Sequence, residues 1–157
     1  MMTGLSLLLL AGFLFTRYGN ERQDYITYAE VAGVHHLYSI AQPGSIFIAG
    51  TDGTPWQFQD FEKYTLLILT DDSPNLVANR DVAAITQFIR SQKHVAAYLI
   101  FTRSQEATLE STFGLAPGTL DRLGQALIAS GQYKLIYSNP DARILLFIGS
   151  SRGGGSL

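Results

Sequence analysis

The chain contains no cysteine. That excludes a disulfide framework, a thiolate nucleophile and any Cys-based zinc or iron–sulfur site. A well-cored domain of this size folds without disulfides on either side of a membrane, so the absence leaves the compartment open. Charge is also scarce. Only 15% of residues are Asp, Glu, Lys or Arg, and 11 basic against 13 acidic residues leave a formal net charge of -2. With no basic block to neutralise a run of phosphates, nucleic acid is not an expected partner. Two common nucleotide-binding signatures are missing too: there is no P-loop and no G-x-G-x-x-G. The glycines of "RGGGS" follow the last expected strand instead of joining a strand to a helix, so they carry no phosphate-binding claim.

What the chain does have is a run of apolar residues at its amino end, Met1 to Thr16, which stops at Arg17 and meets Glu21, Arg22 and Asp24. As a helix rising about 1.5 Å per residue, this run reaches roughly 24 Å, slightly less than the ~30 Å hydrocarbon core. A secretory signal would carry positive charge before the apolar run and small residues after it, and "AGFLFTRYG" offers neither. A soluble core helix would show a polar face, yet only Gly4, Ser6 and Gly12 interrupt the leucines and phenylalanines. The expectation is a membrane helix over 1–16, or the last part of a longer one; a signal peptide and a buried core helix are the other readings. Arg17 and Tyr18 suit headgroup depth, and 17–27 reads as a hinge.

Residues 28–150 read as one α/β domain, consistent with a chain of 157 residues rich in Tyr and Phe. Thr27 and Glu30 form a T-x-x-E capping box before a helix from Tyr28 to Ala41. Strands are expected at Ser45–Gly50, Tyr64–Thr70 and His94–Thr102, the second as a central strand covered on both faces. A turn is expected at "DDSPN". Helices are expected from Arg80 to Gln92 with Asn79 as cap, from Gln105 to Phe113 with Ser104 as cap, and from Leu120 to Ser130, closed by a left-handed Gly131. The strands "YKLIYS" and "RILLFIG", joined by "NPDA", suggest a C-terminal hairpin. The expected fold is a Rossmann-like three-layer sandwich: a mixed, mostly parallel sheet of about five strands, with a flexible tail over 151–157.

Four residues stand out as candidate ligand contacts, each beside an ordinary structural reading. Asp71 and Asp72 follow a buried strand, at the end of the sheet where ligands sit in open α/β folds, and adjacent carboxylates there can hold Mg²⁺ or Mn²⁺ or bind a sugar. They are also common turn residues. Trp56, between Pro55 and Phe58 in a loop, suits stacking on a sugar ring or an isoprenoid chain; it equally suits plugging a sheet edge or lying at a membrane surface. Arg103 follows the third strand and can meet an anion, or make a surface ion pair. His35 and His36 diverge by about 100° on a helix and His94 is remote, so no metal is expected on the histidines.

The motifs "RYGNER", "PGS" and "PW", in order at Arg17–Arg22, Pro43–Ser45 and Pro55–Trp56, resemble the region after the final membrane helix in multispanning proteins of actinobacteria and related soil bacteria. Those proteins are similar to membrane glycosyltransferases that use lipid-linked sugars and are related to protein mannosyltransferases. The resemblance covers nearly the whole chain and implies a small α/β domain on the outer face of the cell membrane. It also implies that the catalytic acid belongs to an early external loop with no counterpart here, so no catalytic residue, cofactor or metal site is carried over. The resulting expectation is a membrane-tethered extracytoplasmic domain serving acceptor binding or assembly, whose partners are the membrane and a glycan or lipid-linked sugar. Two alternatives stand beside it: a stand-alone Rossmann-like enzyme using Asp71, Asp72, a divalent metal and a nucleotide-sugar, and a bitopic module that docks a partner protein.

Overall fold

The computed structural model describes residues 12–13, 25–57 and 60–149. The expected membrane segment over 1–16, most of the hinge and the tail over 151–157 therefore lie outside the described residues, apart from Gly12 and Phe13. Among the described residues no helix is long and apolar enough to cross a membrane.

Helix α1 spans Tyr28–Ile40 and begins with the capping box read from the sequence: the Thr27 hydroxyl accepts from Glu30 N, and the Glu30 carboxyl accepts from Thr27 N. Glu30, Gly33, Val34 and Leu37, at spacings of three and four, form its buried stripe. Strand β1 (Ser45–Ala49) leads through a loop and a 3-10 turn (Phe61–Lys63) to β2 (Tyr64–Ile68). Two short helices follow, α2 (Leu69–Asp72) and α3 (Pro74–Ala78), then α4 (Val82–Ser91) and β3 (Ala97–Thr102). Helices α5 (Arg103–Thr112) and α6 (Thr119–Ala129) precede β4 (Tyr133–Ser138) and β5 (Ala142–Phe147).

The strands form one sheet in the order β2-β1-β3-β5-β4. β1 is parallel to β2 and to β3, while β5 is antiparallel to both β3 and β4. Four of the five strands thus run the same way. Side chains alternate between two apolar layers, as the pleat requires. Ile46, Ile48, Leu99, Phe101 and Leu145 face α3, α4, α5 and α6, whereas Phe47, Tyr98, Ile100 and Ile144 face α1. The three-layer α/β architecture is the expected one, with a single helix on one side among the described residues.

Several local expectations are corrected. Tyr64–Ile68 is an edge strand, not a central one. Its apolar run serves the two core layers, and its outer edge has no strand partner among the described residues. "DDSPN" is not a simple turn: Asp71 and Asp72 end α2, and Pro74 occupies the first turn of α3, where its missing N–H costs nothing. Asp81, not Asn79, caps α4 by accepting from Ala84 N at 2.9 Å. Thr102, not Ser104, caps α5. That last shift matters, because it frees Ser104 and Gln105 for another role.

Candidate functional site

In open α/β sheets the ligand crevice lies at the carboxyl ends of the strands, where neighbouring strands send their connections in opposite directions. Here that point falls between β1 and β3, since β1 leads to β2 on one side and β3 leads toward β4 and β5 on the other. The crevice is filled by the protein's own polar groups. The Gln105 side-chain carbonyl accepts from Gly50 N at 2.8 Å, and its amide donates to Thr54 Oγ1 at 2.7 Å and to Ile100 O at 3.0 Å. Beside it, the fully buried Glu30 accepts from both Ser104 N and Ser104 Oγ. Thr70 donates its hydroxyl to Thr51 at 3.1 Å, tying the ends of β2 and β1. No room remains at Gly50 itself, where an added Cβ would stand 2.6 Å from Leu120 Cδ2.

The open space lies one strand further along. A cleft of about 330 Å³ runs between the end of β3, the start of β5 and the first turns of α5 and α6. Thr102, Arg103 and Glu106 line one side, and Asp141 and Arg143 line the other. Gly118, Leu120 and Asp121 contribute from the α6 side. Neither a protein-family model, a curated protein nor a solved structure matches this chain. The chemistry of the cleft is that of its own side chains.

Two of its carboxyls are already engaged. Glu106 accepts from Thr119 N at 2.6 Å and Leu120 N at 2.8 Å, so it caps the amino end of α6 from a neighbouring helix. Asp121 pairs with Arg143; this pair is exposed enough that it adds at most about 1 kcal/mol to stability. What remains uncommitted is Arg103 and Asp141. The Arg103 side chain makes one long hydrogen bond to Tyr25 O at 3.4 Å and lies 5.8 Å from the centre of the Tyr25 ring. Asp141 uses its backbone for structure, accepting from Arg103 N and donating to Asn139 Oδ1. Its carboxyl has no partner among the described residues.

Of the four sequence candidates, only Arg103 reaches this cleft. Asp71 and Asp72 are exposed at the end of β2, about 10 Å from β3 across two strand spacings. No cluster of three metal-ligating side chains exists among the described residues. Trp56 packs on the α1 face of the sheet, stacked on Phe47 with ring centroids 6.3 Å apart. Its loop is held by Tyr38, whose hydroxyl donates to Gln57 O at 3.2 Å, and burial raises the pKa of that phenol above its ordinary value. The histidines are dispersed: His35 meets Gln57, His36 stacks on Tyr137, and His94 bonds to Gln92 O. Asp141 and Glu106 escaped sequence reasoning. Asp141 stood in the "NPDA" turn, but only the placement of β5 beside β3 brings that turn next to the residue that leaves β3.

Proposed function

We propose that this chain is a membrane-tethered, extracytoplasmic α/β domain of a polytopic glycosyltransferase-like protein, serving acceptor binding or assembly without a catalytic centre of its own. The observation that carries this reading is the way the chain enters the fold. Helix α1 starts at the carboxyl ends of the parallel strands, since Glu30 in its first turn bonds to Ser104 just after β3. On the approach to it, Tyr25, Ile26 and Tyr28 are exposed, Tyr28 at 96%. Apolar and aromatic side chains left open at that position suit a membrane–water interface. The eight residues Arg17–Asp24 between the apolar run and Tyr25 span at most about 29 Å. A tether in lipid would hold the cleft beside the bilayer surface, where a lipid-linked sugar or its acceptor is met.

The self-filled crevice supports an accessory role. A substrate entering between β1 and β3 would have to break the bonds of Gln105 and Glu30, and each buried donor left unpaired costs about 1–3 kcal/mol. Two measurements test the reading. The full chain mixed with liposomes is expected to float with them, and recovery in the soluble fraction would refute the tether. With polyprenyl-phosphate sugars and acceptor glycans added, no transfer is expected; turnover by this chain alone would refute the accessory role.

A further inference from the structure

We propose that the cleft between the starts of α5, α6 and β5 binds a neutral saccharide unit, with the Arg103 guanidinium donating to its hydroxyls and the Asp141 carboxyl accepting from them. This rests on the acceptor-binding reading above and gives it a place and a ligand class.

The volume, about 330 Å³, is at the small end of the range for small-molecule sites. Charge decides what kind of small molecule fits. The amino end of a helix ordinarily attracts phosphate, but at α6 that position is held by Glu106, whose two carboxyl oxygens satisfy the amides of Thr119 and Leu120. An anion entering the cleft would meet Glu106, Asp121 and Asp141 against Arg103 and Arg143. Three carboxyls against two guanidiniums disfavour phosphate.

A polyol has the opposite requirement. Every sugar hydroxyl both donates and accepts, so a site for it needs acceptors and donors side by side. The cleft has one of each left over. Asp141 offers only acceptor atoms, while Arg103 offers only donors, one of them spent on a long bond to Tyr25 O. Both are carried by backbone that is fixed, because Arg103 N donates to Asp141 O at 2.9 Å and so sets the spacing of the two residues.

The test uses the full chain in phospholipid nanodiscs and saturation-transfer NMR with a panel of neutral disaccharides of mannose, glucose, galactose and arabinose. Signals from at least one disaccharide are expected. They should weaken at least about tenfold in apparent affinity in Asp141→Ala and in Arg103→Ala, as for loss of a hydrogen bond to a charged group. Neither side chain is buried, and an unchanged thermal midpoint in each variant would establish that the fold survives. Asp72→Asn, outside the cleft, should leave the signals unchanged. Silence from the whole panel, equal signals in both cleft variants, or displacement of the sugar by equimolar inorganic phosphate would each overturn the proposal. Incorporation into nanodiscs is scored separately by co-elution, so a failed cleft and a failed tether give different results.

Discussion

Gln105, the third residue after β3, closes the crevice beside β1 by accepting the Gly50 amide at 2.8 Å. This contact joins residues 55 positions apart and fixes the relative height of the two central parallel strands. Together with the neighbouring bonds of Glu30 to Ser104, it turns the usual ligand entrance of an open α/β sheet into structure.

Gln105→Leu is expected to destabilise the fold by about 2 kcal/mol, because the buried Gly50 N–H loses its only side-chain acceptor. Gln105→Glu keeps an acceptor but sets it against Ile100 O and Thr54 Oγ1, which now receive donated protons from the amide. Burial raises the pKa of such a carboxyl. The protonated form, able to donate, is favoured in the folded state, so stability is present at low pH and lost as pH rises through the raised value. Urea midpoints measured at pH 4 and pH 7 would show the Glu variant closer to the parent at the lower pH.

Gly33→Ala is expected to cost up to about 2 kcal/mol. A Cβ at this position would stand 2.6 Å from Ala142 Cβ, an atom fixed to the β5 backbone with no rotamer to escape into. Overpacking of this kind costs about 1–3 kcal/mol. It outweighs the gain of about 1 kcal/mol in helix propensity. Thermal denaturation of the variant would read the difference, and an increased midpoint would contradict the close approach of α1 to β5.

Tyr133 predicts an alkaline limit. Its hydroxyl is bonded to Thr86 Oγ1 at 2.9 Å, and burial pushes its pKa above the ordinary value, opposed in part by Thr86 and Arg90. The unfolded chain therefore loses the phenolic proton first. Stability is full below about pH 10 and falls as pH rises from there through the folded-state value. Tyr133→Phe should lose about 1–2 kcal/mol at neutral pH, through the stranded Thr86 hydroxyl. It should also show a shallower decline between pH 10 and pH 11, with Tyr38, raised by burial, and Lys63, raised by its pairing with Asp60, among the groups that keep a slope.

Asp71→Asn and Asp72→Asn are expected to change stability by less than about 0.5 kcal/mol, because both side chains are exposed. Added Mg²⁺ or Mn²⁺ should leave the thermal midpoint of the parent and of both variants in place. A metal-dependent rise in the parent that vanished in either variant would instead favour a metal-using site at the end of β2.

The sequence by itself determined the elements whose causes are local. The α1 capping box needs only Thr27 and Glu30 three residues apart, and Gly131 takes its φ of 71° because a helix ends there in a left-handed turn. The α/β class followed from alternating strands and helices. What the sequence could not show was which continuous apolar run lies at an edge. Residues facing two apolar layers read alike in β1, β2 and β3, and only the pairing order makes β2 the margin. The candidate site was hidden for the same kind of reason. Arg103 was visible as a charge after a strand, but its neighbour Asp141 comes from a turn 38 residues later and reaches it only because β5 inserts between β3 and β4. Sequence spacing carries local hydrogen bonds and helical faces; the order of strands in a sheet is set by the packing of both faces at once, and that decides which distant side chains share a cleft.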